Sequence, residues 1–181
     1  VVLYYWSGHG SGFGHILDLY NFEASTQIII SDGCNSGEII TDPDNKLARD
    51  GRVILTACRA EELSLGFSWL DPPGVFIYFL IEALYSNCTG ADVNKDGLIS
   101  AEEAFYYAAP RVPEFLKNLN IPDDLKQQHP QIYDYDDKEE VPLTKCRSCE
   151  IKTELENTNM TSFVIEEQES QFNKSFIFAK N

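Results

Sequence analysis

Basic residues are scarce in this chain. Lys and Arg number 14 against 29 Asp and Glu, so the net charge is −15. Nucleic acid and anionic membrane both bind through a basic face, and this balance argues against either as a partner. It suits cationic substrates and bound metal cations. Long apolar runs are lacking too. The longest, residues 75–84, contains Glu82 and falls far short of the ~20 residues that span a bilayer. Cysteines number five, an odd and low count that does not make a disulfide framework. There is no internal repeat. The chain opens on Val1 inside an apolar run, without Met, which reads as a fragment or processed chain. Compartment and oligomeric state are therefore left unassigned.

What is present is enough for one domain. The 181 residues are 43% hydrophobic and 12% aromatic, as a packed core requires. Two apolar runs, 1–6 and 28–32, each lead into a Gly-flanked reactive side chain: Ser7-Gly8-His9-Gly10 and Gly33-Cys34-Asn35-Ser36-Gly37. Short apolar runs bounded by Gly read as strands buried on both faces, as in a parallel sheet. A third such strand is expected at 53–57. Ligands bind beyond the carboxyl ends of parallel strands, so His9 and Cys34 are expected at one edge. A thiolate nucleophile and its proton partner form such a pair, with the N–H groups of Gly10 and Cys34 as the oxyanion hole. The bland alternative is a buried Cys beside an unrelated loop His. His15 is a rival base but falls in the crossover, and His129 reads as a surface loop residue. Only residues 11–27 separate the first two strands, room for one short helix. Further helices are expected at 75–86, at 101–109, and from Pro113 to Leu119. Past Pro142 the chain turns polar, with weak apolar runs at 163–165 and 176–178 that read as a strand pair or as linker.

The segments Tyr5-Trp6-Ser7-Gly8-His9-Gly10 and Ser31-Asp32-Gly33-Cys34-Asn35-Ser36-Gly37 resemble the His and Cys segments of the caspase/metacaspase/legumain clan of cysteine peptidases, prokaryotic type. Residues 52–58 resemble the next strand of that fold, 74–78 the start of its following helix, and 128–134 a segment of prokaryotic members. The resemblance spans roughly residues 1–136. It implies an α/β fold, a mainly parallel sheet flanked by helices, with the fold's first strands missing ahead of Val1. It also implies a dyad of Cys34 as nucleophile and His9 as general acid/base. Asp32 and Ser7 lie two residues before Cys34 and His9, on a shared strand face. In metacaspase-like enzymes the matching acid and serine line a pocket for a basic side chain, which implies cleavage after Arg or Lys. The alternative for Asp32 is a strand-end cap on the following turn. The chain departs from caspases in lacking the Q-A-C-[RQG]-G segment, and only 24 residues separate His9 from Cys34, against about 50 in caspases.

A second constellation lies at Asp92-Val93-Asn94-Lys95-Asp96-Gly97-Leu98-Ile99-Ser100-Ala101-Glu102-Glu103. It matches the EF-hand pattern D-x-[DN]-x-[DN]-G-x5-E in full. One Ca2+ is expected, held by Asp92, Asn94, Asp96, the Leu98 carbonyl and Glu103, with Ser100 acting through water. Ser100 to Glu103 also reads as a capping box that starts a helix without metal. Cys146-Arg147-Ser148-Cys149 is a lone C-x-x-C, without the second pair a zinc site needs. The expectation is a caspase-like peptidase domain over 1–142 carrying the calcium loop, with a polar segment over 143–181. Its substrates are proteins or peptides, cut by cysteine-type endopeptidase action. The competing expectation is an inactive calcium-binding or scaffolding module on the same fold.

Overall fold

The computed structural model describes residues 1–10, 24–41, 47–86, 90–135 and 140–146, and the backbone of two further strands at 165–170 and 173–179. The strands are β1 (Val2–Gly8), β2 (Gln27–Gly33), β3 (Arg52–Thr56), β4 (Leu98–Ser100), β5 (Gln131–Asp134), β6 (Pro142–Lys145), β7 (Ile165–Ser170) and β8 (Asn173–Ala179). The helices are α1 (Glu38–Thr41), α2 (Val75–Tyr85), α3 (Ala101–Ala108) and α4 (Arg111–Lys117).

The chain is a mixed α/β protein. Its central sheet runs β5-β3-β2-β1-β8-β7. β1, β2 and β3 are parallel neighbours, with Ser7 beside Asp32 and Ser31 beside Thr56. β5 closes this mainly parallel four-stranded core antiparallel to β3. On the far side β8 lies antiparallel against β1, and β7 against β8. β8 takes in the weak apolar run at 176–178, and β7 begins at Ile165, the last residue of the run at 163–165, whose other two residues lie outside the described residues. The expected crossover helix and His15 lie outside the described residues.

Both sheet faces are covered, as the continuous apolar runs require. β2 and β3 are buried along their whole lengths. One face carries Tyr4, Trp6, Ile29 and Ile54 under Ile39 of α1 and Leu47. The other carries Ile28, Ile30, Val53 and Leu55 under α2 and α3, where Phe76 meets Phe105 edge to face at 6.3 Å. α2 begins just after Gly74 and buries Val75, Phe76, Ile77, Leu80 and Ala83.

α4 starts at Arg111, not at Pro113. Pro113 is its third residue, where no intrahelical acceptor exists for the backbone N–H, so proline forfeits no hydrogen bond there. Pro110, expected only as a stop for the preceding helix, also heads this one. β4 and β6 form a separate two-stranded sheet that ties residues 142–145 to the loop at 92–103. Cys146 is disulfide-bonded, Cys34 and Cys58 are free, and Cys149 lies outside the described residues.

Candidate functional site

The two reactive strand ends meet at one edge of the sheet. Gly8 pairs with Gly33 at the last rung of β1 and β2. The chain then folds over Gly33 so closely that a Cβ there would strike the Trp6 ring and the Gly8 and Gly10 carbonyls. His9 lies between those carbonyls and is exposed, and Cys34 follows Gly33 directly. Glycine at 33 is thus what lets the two segments touch. Gly10 takes φ +80° in open space. Asn35 takes φ 60°, a left-handed conformation that few non-glycine residues adopt, and turns the chain sharply after Cys34. Its side chain donates to the Ala60 carbonyl at 2.7 Å and its N–H to the Glu62 carbonyl at 2.8 Å. No hydrogen bond joins His9 to Cys34. The Cys34 thiol points instead to the Ser64 carbonyl, 3.6 Å away.

Ser64 connects the Cys34 segment to Asp32. Its hydroxyl donates to Asp32 Oδ1 at 3.1 Å. Asp32 is 5% exposed, and its Oδ2 is buried with no partner among the described residues. Burial pushes the carboxyl up to about 7 from the ordinary 3.8, against the opposing pull of the Ser64 hydrogen bond. Gly74, at the start of α2, abuts Oδ2: a Cβ at that position would collide with it. Ser7 is the register neighbour of Asp32, and its hydroxyl bonds the Tyr5 phenol. Burial, then the Asp32 charge, pushes the Tyr5 phenol upward. The result is a carboxylate recessed between β1, β2 and the head of α2 with one oxygen unused.

Beneath this edge sits a polar clip that spacing alone does not reveal. His129 is no free surface residue: its Nδ1 lies 2.6 Å from Glu62 Oε1, and its N–H donates to Glu62 Oε2 at 2.7 Å. Burial works to raise the Glu62 carboxyl, but the His129 ring and the N–H groups of Arg59 and His129 outweigh it, and the net shift is downward. Gln128, 0% exposed, accepts from the Leu65 N–H and donates to the Ala57 carbonyl and to Ser64 Oγ. Cys58 is buried and its thiol donates to the Glu62 and Gly33 carbonyls. The contacts of Ser64, Gln128, Glu62 and His129 are not read from the sequence. Residues 128–134 stand out there only through their resemblance to a segment of prokaryotic caspase-like members, and His129 reads there as a surface loop residue.

The loop at 92–103 turns sharply on two residues with positive φ. Gly97 takes φ 82° and Lys95 φ 62°, and the Gly97 N–H donates to Asp92 Oδ2 at 3.1 Å. Asp96 and Leu98 N–H groups are held by Asn94 and Asp96 side chains. Asp92 Oδ1 is buried without a partner. Glu103, however, is engaged by backbone. Its Oε1 accepts from Val93 and Asn94, its Oε2 from Ser100, and with the Ser100 hydroxyl it completes a capping box on α3. Among the described residues, no three His, Cys, Asp or Glu side chains gather as a metal-holding group. The chemistry of the donor set and the orphaned Asp92 oxygen fit calcium. A second lone pair on Glu103 Oε2 is still open to it. Glu140 reaches this loop from outside the pattern, accepting from Asn94 Nδ2 at 2.9 Å.

No family model, no curated protein and no solved structure matches this chain.

Proposed function

We propose that the chain is a caspase-like cysteine endopeptidase that cleaves after Arg or Lys. The observation that carries this reading is the single residue Ser64, whose carbonyl meets the Cys34 thiol while its hydroxyl meets a buried carboxylate with one oxygen free. A reactive thiol within one residue of an uncompensated anionic pocket is what cleavage beside a cationic side chain needs. An unpaired buried carboxylate is costly to a fold and is kept where a ligand neutralises it.

In this mechanism the substrate's ammonium or guanidinium enters against Asp32 Oδ2, with Ser7 at the pocket wall. That fixes the scissile carbonyl above Cys34. The Cys34 thiolate attacks the carbonyl carbon, and the oxyanion is held by the N–H groups of Cys34 and Gly10. His9 protonates the leaving amine as the C–N bond breaks, giving a thioester on Cys34. His9 then takes a proton from water, which hydrolyses the thioester and frees the thiol. Asp92, Asn94, Asp96, the Leu98 carbonyl and Glu103 would hold one calcium ion, whose charge offsets their mutual repulsion.

Fluorogenic peptides ending in Arg test this. Wild type should cleave them, and Cys34→Ala and His9→Ala should each abolish cleavage with the fold intact by circular dichroism. Full activity in either variant rejects the dyad. A second reading has one observation in its favour: the thiol faces Ser64 and not His9. On that reading the chain is an inactive calcium-binding or scaffolding module. Thiol labelling separates them, because only a catalytic site gives Cys34 a reactivity at neutral pH above that of an ordinary exposed thiol, and one that His9→Ala removes.

A further inference from the structure

The hydrogen bonds behind the anionic pocket run in one direction, and their direction is set far from the pocket. Gln128 is fixed by two backbone groups. The Leu65 N–H needs an acceptor and lies 2.9 Å from Oε1, and the Ala57 carbonyl needs a donor and lies 3.1 Å from Nε2. Reversing the amide would set N–H against N–H and C=O against C=O, so this orientation is the one the backbone permits. The remaining hydrogen of Nε2 faces Ser64 Oγ at 3.4 Å. With a lone pair so engaged, the Ser64 hydroxyl sends its own hydrogen to Asp32 Oδ1. The chain ends at Oδ2, which has no partner among the described residues.

We infer that Gln128 and Ser64 are positioning residues for substrate selection: Gln128 orients the Ser64 hydroxyl, Ser64 holds Asp32 through Oδ1, and Oδ2 is left as an acceptor for a ligand carrying donors only. Ammonium and guanidinium groups are such ligands, and a neutral urea with its own carbonyl is not. This rests on Asp32 being the pocket for a basic side chain. Neither residue touches the substrate in this scheme. The hydroxyl supports the ionised carboxylate, and loss of it leaves the buried anion without a donor.

The test pairs a substrate ending in Arg with its citrulline counterpart, in which a urea replaces the guanidinium at equal size. Wild type is measured first. If it shows no preference for Arg in cleavage, and none between arginine amide and citrulline amide in calorimetric binding, the pocket reading fails and this inference with it. Given a preference, Ser64→Ala and Gln128→Met should each reduce the Arg-to-citrulline ratio of kcat/KM about tenfold or more, the loss expected for one hydrogen bond to a charged group. The fall should appear in KM for the Arg substrate. The pH at which Arg binding sets in should move upward, because the anion is harder to form. Ser64→Thr keeps a hydroxyl and should restore both. Equal losses on both substrates with an unmoved pH profile would mean that the two residues only hold the loop, and would overturn the inference while leaving the pocket standing. Should Gln128→Met fail to fold, the Ser64 pair decides, since that side chain is only half-buried.

Discussion

Asp32 sits where ionisation is most costly to the fold and most useful to a cationic ligand. Its carboxyl titrates near pH 7 in the folded chain, against an ordinary 3.8. A folded carboxyl that keeps its proton this long favours folding at low pH. That contribution is intact below about pH 4 and is lost as pH rises to about 7, where the buried group must ionise. Asp32→Asn mimics the protonated form. Thermal unfolding should therefore show no gain for the variant at pH 4 and a gain at pH 8 of up to about 4 kcal/mol. At the same pH the variant should lose the stabilisation that arginine amide gives wild type. A variant less stable than wild type at pH 8 would mean that the carboxylate already has a partner in solution. Gly74 gives an independent check, since a methyl there would meet Oδ2. Gly74→Ala should raise KM for Arg substrates at least tenfold, while thiol labelling of Cys34 continues at its wild-type rate.

At the scale of elements, what the sequence revealed depended on how local the cause was. The three parallel strands were legible because each is a continuous apolar run stopped by glycine or a polar turn, and their ends fell within a residue or two of expectation. α2 was legible from the Pro and Gly ahead of it. The start of α4 was misplaced because a proline in a first turn looks in sequence like a helix opening. His9 and Cys34 were legible as a pair because each ends such a run. Ser64 was not, because it reaches Asp32 only after the bridge between Gly66 and Gly74 brings its loop back to α2. The pairing of Glu62 with His129 spans 67 positions, and no periodicity reports it. The calcium loop carries two local readings at once, and substitution separates them. Ser100→Ala should cost about 1 kcal/mol with or without calcium, through loss of the helix cap. Glu103→Gln can keep the capping box through its amide oxygen, but it turns an NH2 toward the Val93 and Asn94 N–H groups, so it lowers stability in EDTA as well, and it weakens a bidentate metal ligand. Wild type in calcium at a hundredfold excess over Kd should gain ~2.7 kcal/mol over EDTA, a rise of roughly 5–10 °C in Tm. Glu103→Gln should lose most of that difference. Equal melting curves for wild type in calcium and in EDTA would leave the loop as a helix cap alone.

At the scale of the whole molecule, the sheet is completed by the segment that looked least structured. β8 is hydrogen-bonded along β1 from Val2 to Ser7, the strand that delivers His9, and β7 shields β8 in turn. In sequence the runs at 163–165 and 176–178 read as a strand pair or as linker and cannot be told apart, because Phe176-Ile177-Phe178 is short and sits in a polar segment, although β8 lies between β1 and β7. An uncovered β1 would present a row of unpaired N–H and C=O groups beside the sheet edge that carries His9 and Cys34, a ready template for another chain. The strands at 165–170 and 173–179 therefore belong to the sheet, although they follow a change of composition at Pro142. Deleting them should lower Tm and produce self-association, seen as a concentration-dependent mass by light scattering. Arg-directed cleavage should fall as well, because the end of β1 brings the Gly8 and Gly10 carbonyls against Gly33, next to Cys34. Adding back a synthetic peptide of residues 164–181 should suppress self-association and recover part of the activity. A deletion variant that stays monomeric, melts at the wild-type temperature and cleaves at the wild-type rate would show that β1 holds its place without β8.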